Sequence, residues 1–203
     1  MIGGLTATST VLAAETNFNY TSVSIAAIGV SLDDDLVIPV GGFSNQVAIY
    51  DSLSGAGVTG AIQLDSNIVI GLSSTYLSNS GFGTKIEESA FAIGAGYVIP
   101  TGPATDVFLS ADFVRITAEV CNRSFCFKDT ERGYGLSGGA RHWVTQSVEI
   151  NGSLNYVDVG DFGDSTSVGI GGAYWFNANA SARLGLGFSS DATSASLGFG
   201  FAF

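Results

Sequence analysis

His142 is the only histidine in the chain, so imidazole chemistry at neutral pH would have to start there. No Ser–His–Asp constellation can be assembled around it. The alternation of the surrounding residues turns it to the outside of a strand, close to a turn, where an interfacial side chain reaching toward headgroups is the simpler reading. Asp112 and Glu149 fall on inward faces and are the only pair that could support carboxylate-based catalysis, yet each has a plainer role. Arg141 and Glu149 are equidistant from Thr145, which predicts a direct cross-strand ion pair. Arg183 is likewise predicted opposite Trp175, within cation–π range. Both pairs read as structural staples. Cys121 and Cys126 are the only cysteines, and their spacing in a polar stretch suits a small disulfide in an oxidising compartment. No third thiol or nearby histidine supports a metal there. Asp33, Asp34 and Asp35 are weak candidates for a hard cation, since they lack the alternation of a calcium loop. No cofactor is implied.

The elements that carry these residues are strands. Hydrophobic residues make up 46% of the 203, mean hydropathy is +0.36, and only 12% are charged, where about 25% is usual for a soluble domain. No run of about 18 apolar residues is available to cross a membrane as a helix. Glycine is abundant at 28, which disfavours helices, and the aliphatic and aromatic content excludes disorder. The net charge of −11, with 7 Lys and Arg, excludes a nucleic-acid partner because no basic patch can neutralise phosphates. Residues 1–16 read as a residual signal peptide or N-terminal tail, with Val11 to Ala14 as a small-residue cleavage site but no basic start. Residues 17–203 form the second unit.

The last residues show the pattern most clearly. Leu197, Phe199, Phe201 and Phe203 share one face, and Gly198, Gly200 and Ala202 the other. Large side chains facing lipid and small ones facing a lumen suit a closed transmembrane barrel. Reading back along the chain gives ten alternating segments: Thr193–Phe203, Ala180–Ser190, Ser165–Phe176, Ser147–Val159, Gly133–Val144, Asp106–Val120, Ser89–Ile99, Asn67–Leu77, Val58–Leu64 and Phe18–Leu32. The expected fold is therefore an all-β, antiparallel up-and-down barrel of ten strands, with eight or twelve as alternatives. The faces place Tyr97, Tyr174, Phe176 and Phe203 in a periplasmic aromatic girdle, and Tyr76 and Tyr156 in an outer one. Gln63, Asp112, Arg141, Glu149, Asn151, Asn155 and Arg183 line the lumen. Short links define the periplasmic rim. The longer acidic links, beginning with Asp33–Gly57, define the outer one. That first link carries apolar Leu36 to Phe43 and Val47 to Tyr50, and is expected to form a hairpin above the rim or a plug rather than two more strands. Phe18–Leu32 shows no clean face.

Gly133 to Arg141, Val148 to Val159, Ser167 to Phe176 and the terminal Phe203 resemble the small OmpA-like, OmpX-like and porin-family outer-membrane barrels of Gram-negative bacteria. The likeness runs from Asn67 to Phe203. It implies a multi-pass protein of the bacterial outer membrane, a monomer inserted by the barrel-assembly machinery through its C-terminal strand, with membrane lipid and lipopolysaccharide as partners. Function follows less directly from fold. The expected role is non-enzymatic: structural, or surface interaction through acidic outer loops. A narrow porin-like channel for small solutes or ions is the alternative, and a lipid- or peptide-processing enzyme is a third, weaker one.

Overall fold

Alternation of large and small residues produces ten antiparallel strands, which close into a barrel by pairing the first with the last. The computed structural model describes residues 20–39, 47–64, 67–81, 83–122 and 125–203. The leader-like segment, Phe18, Gly41 to Asn45 and the Asp65-Ser66 turn lie outside these residues. The strands are β1 (Ser22–Pro39), β2 (Val47–Gln63), β3 (Ile68–Gly81), β4 (Thr84–Gly102), β5 (Thr105–Cys121), β6 (Cys126–Trp143), β7 (Val148–Asp158), β8 (Asp164–Trp175), β9 (Ala180–Ser189) and β10 (Ala192–Ala202). A single 3-10 turn, Gly160–Phe162, joins β7 to β8. Closure runs in register from Ser22 opposite Ala202 to Leu32 opposite Ala192, so β10 is the sealing strand.

Strand length divides the barrel in two. β7 to β10 have 10 to 12 residues, close to the ~9–11 that cross a bilayer at a tilt. β1 to β6 have 14 to 19, so they rise past the bilayer on one side as a six-stranded wall. Outward side chains in the lower part are large and apolar, for example Phe91, Ile93, Tyr97 and Ile99 along β4, and all are exposed for lipid to cover.

Much of what reads in sequence as the first outer loop is strand. β1 continues to Pro39 and β2 begins at Val47, and the two strands pair with each other up to those ends. Their ladder breaks once. Ser31 faces Ser52 and Leu36 faces Tyr50, so Leu32 to Asp35 bulge out opposite Asp51 alone. The three consecutive aspartates occupy that bulge, where their side chains stay exposed. The described residues of the expected Ser78–Glu88 and Cys121–Arg132 loops are also mostly strand. Pro39 is accommodated because it pairs with Val47 at the last rung, where a missing donor is cheapest.

The core lies inside the barrel, mainly at its two ends, with a further cluster of Ala92, Val114 and Val159 to one side. Tyr20, Ala61, Val69, Val98 and Phe108 pack at the periplasmic end, with Trp143 against them. Val30, Ile38, Ala48, Tyr50, Leu53, Leu77, Ile86 and Ala192 pack at the outer end. Between them is a cavity of about 150 Å³ whose walls include Gly57, Gly185, Gly187 and Gly198. Polar Ser24, Thr59 and Asn151 also line it, so a few waters fit there.

Candidate functional site

The lower layer holds most of the charged residues expected in the lumen. β6 and β7 pair with Arg141 opposite Asn151 and Trp143 opposite Glu149, so Arg141 and Glu149 are diagonal rather than directly opposed. The β6–β7 turn is centred on Gln146, not on Thr145, and that one-residue shift moves each cross-strand partner by two. The long arginine spans the diagonal. Its Nε donates to Glu149 Oε1, and its Nη2 donates to Oε2 at 2.6 Å. Trp175 Nε1 also donates to Oε2, at 3.1 Å. Arg141 is 4% exposed and Glu149 2%, so the pair is buried.

Around it, Arg183 stands 5.7 Å from the Trp175 ring centre and donates from Nε to Ser181 Oγ at 3.2 Å. Its direct cross-strand partner is Ala173, not Trp175, so this contact is diagonal as well. Trp143 and Trp175 pack with ring centres 5.8 Å apart. Two members of this layer escaped the sequence reading. Tyr20 is 1% exposed and donates to Asp106 Oδ2 at 2.9 Å, while Arg141 stacks 4.9 Å from its ring centre. Asp106 shares the inward register of Ser110 and Asp112, which was the available signal. Tyr20 precedes β1, whose faces were illegible.

Asp112 and Glu149 are not brought together. Asp112 accepts from Ser110 Oγ at 3.3 Å and lines a separate 40 Å³ space with Ser137, Asn155 and Ser167. Asn155 donates to Ser153 Oγ at 3.2 Å. Gln63 shares the inward register of Ala61 but lines neither cavity. His142 points outward and pairs through Nδ1 with Thr105 Oγ1 at 2.8 Å. Cys121 and Cys126 form a disulfide at the β5–β6 tip. Among the described residues, the one set of possible metal ligands held close together is Glu119, Cys121 and Cys126, whose sulfurs are bonded to each other. Asp33 to Asp35 form no such set, although the Asp33 amide donates to Asp191 O at 3.0 Å and ties the bulge to β10.

Tyr174 meets Phe176 edge-on at 5.4 Å, and Tyr97 and Phe203 are exposed on the same periplasmic side. At the outer level, Tyr156 lies 6.2 Å from Tyr134, and Tyr76 donates to Glu87.

One carboxyl is out of keeping with the upper layer. Glu88 lies three residues above Phe91, outside the bilayer band, and faces inward between Leu77 and Ala118. It is 2% exposed, and its Oε2 has no hydrogen-bond partner. Burial pushes its carboxyl up from 4.5 to about 7. Because the folded value is the higher one, its stability contribution is intact below about pH 4.5 and is lost as pH rises toward 7. Glu88→Gln is therefore expected to be near neutral at pH 4 and to stabilise by about 2 kcal/mol at pH 8. Urea unfolding at both values measures this, and parallel pH profiles for the two proteins would refute it.

The fold and this packing define an integral β-barrel membrane protein whose lumen is filled by its own side chains. The family model for the outer membrane protein beta-barrel domain matches residues 2–176, and the chain belongs to that family. A YadA-like membrane anchor domain model matches residues 157–203. The chain is therefore a protein of the bacterial outer membrane. Solved structures similar to it include the N-terminal barrel of Pseudomonas aeruginosa OprF, at 15% identity and TM-score 0.46, covering 92% of this chain and 100% of that one. Neisserial surface protein A is similar at 14% identity and TM-score 0.49, covering 90% and 96%. Ail of Yersinia pestis is similar at 10% identity and TM-score 0.47, covering 91% and 99%. No curated protein matches the sequence.

Proposed function

We propose that this protein acts at the cell surface as a non-catalytic barrel, with a structural or interaction role carried by its outer rim. The observation behind this reading is the contrast between the two ends of the molecule. The lumen is packed at two levels, by the Tyr20 and Phe108 layer below and the Tyr50 and Ile86 layer above. The β1–β6 wall, by contrast, rises beyond the bilayer and exposes Asp33, Asp34, Asp35 and Asp51. A filled lumen suits a small barrel better than solute flow, since open porins use about 16–18 strands. The terminal β10 strand suits insertion as a monomer by the assembly machinery.

Replacing the hairpin between Ser31 and Ser52 with a two-residue turn tests the role. Cell-surface binding or detergent resistance is expected to fall while heat-modifiable gel migration persists. Unchanged behaviour counts against the outer rim. Planar-bilayer recording of refolded protein is expected to show no discrete openings, and openings would favour passage of small solutes instead.

A further inference from the structure

The outward face of β5 and β6 forms a ladder whose chemistry changes rung by rung. From the bilayer upward, Ala111 faces Leu136, Phe113 faces Tyr134, Arg115 faces Arg132, Thr117 faces Thr130, Glu119 faces Lys128 and Cys121 faces Cys126. Two arginines thus stand directly opposite each other, one rung above an aromatic pair in which each ring is 48% exposed. Like charges at directly opposed positions are unfavourable unless something negative lies between them.

The neighbouring carboxylates do not fill that place. Glu87 pairs with Lys85 at 2.8 Å, and Glu119 with Lys128 at 3.0 Å. Asp158 faces Tyr134 and forms no ion pair with either arginine. Among the described residues, Arg115 and Arg132 are exposed and have no ion-pair partner, whereas Lys85 and Lys128 on the same face each have one. On the rung above, the Thr117 and Thr130 hydroxyls lie 3.0 Å apart. On the other side, Arg115 faces exposed Phe91.

From this arrangement we infer that Arg115 and Arg132 form a clamp for the phosphate of an anionic lipid in the outer leaflet. Two guanidinium groups offer forked donors that match phosphate geometry, and the threonine hydroxyls above can hydrogen-bond to the polar headgroup. Phe91, Phe113, Tyr134 and Leu136 supply the apolar ground on which acyl chains lie. Acyl chains below and donors above distinguish a lipid phosphate from free phosphate, which needs only the upper half. The inference depends on the membrane location and not on the surface role proposed above.

The test is native mass spectrometry of the refolded full chain in detergent, titrated with bisphosphorylated lipid A. Wild type is expected to retain the lipid, and R115Q/R132Q to weaken retention about tenfold or more. K85Q/K128Q removes two cations that are already paired and is expected to leave retention within about twofold. Dephosphorylated lipid A should bind wild type no better than the phosphorylated form binds R115Q/R132Q. Equal retention by R115Q/R132Q overturns the clamp. So does an equal loss in K85Q/K128Q, which would mean nonspecific charge, or tight binding of the dephosphorylated lipid. Displacement of the lipid by stoichiometric inorganic phosphate would overturn the lipid as ligand. Heat-modifiable migration checks folding, and if the glutamine variant does not refold, R115K/R132K decides: charge without the fork should bind measurably less than wild type.

Discussion

Glu149→Leu is expected to destabilise the barrel by about 3–5 kcal/mol, because it removes the buried carboxylate that accepts both arms of the Arg141 fork. Both oxygens of Glu149 are in use: Arg141 takes them as a fork, and Trp175 adds a third donor to Oε2. Removing the carboxylate therefore takes this acceptor from three buried donors at once. The matching change R141M/E149L should recover only part of the loss, since it still leaves Trp175 Nε1 without its acceptor and takes the cation away from buried Asp106, which stands directly opposite position 141. Equilibrium unfolding in urea of vesicle-refolded protein, run as a double-mutant cycle, separates the two effects. If E149L keeps the wild-type midpoint, Arg141 has found another partner and the pair is not what holds the lower layer. A role in guiding charge through the lumen predicts something different, a change in conductance with little change in stability.

The ease of reading each strand followed from what its two faces touch. In β8, β9 and β10 the outward side chains meet lipid and most inward ones are small, so the alternation from Val168 to Phe201 is legible despite inward Trp175 and Arg183 and outward Gly172. β1 is illegible for an equally physical reason. Ile25 faces lipid, but Ile28 and Val30 face inward into the upper apolar layer, so aliphatic residues occur in both registers. The same layer explains why apolar residues sit in a segment that reads as a loop: Ile38, Ala48 and Tyr50 are apolar because they are buried. Alternation reports only which face a residue takes. It does not report which residue stands opposite, because that depends on where each turn is centred. The Arg141–Glu149 geometry shifted by one diagonal for this reason, and the Arg115–Arg132 rung was invisible until β5 and β6 were paired.

The second large effect concerns the upper layer. Tyr50 is 4% exposed, and its hydroxyl joins the β1–β2 hairpin to the β3–β4 tip. It lies 3.1 Å from Gly81 O and 3.0 Å from Thr84 O, accepts from the Gly81 amide at 3.0 Å, and meets the Thr84 hydroxyl. Tyr50→Ala removes this latch together with a large buried ring, at an expected cost of about 3–5 kcal/mol. Tyr50→Phe keeps the ring and should cost only about 1–2 kcal/mol. The loss should be local, with faster hydrogen exchange at Ala48, Leu77 and Ile86 and no change around Phe108, because the lower layer shares no buried residue with the upper one. Conductance then tests the two-level packing itself. Y50A alone should stay silent in planar bilayers because Trp143 and Trp175 still close the lower end. Trp175→Ala alone should stay silent because the upper layer remains. Only the double variant is expected to show openings. A single variant that conducts would mean that one layer alone closes the lumen, and a silent double variant would mean that the walls around the central cavity close it without either.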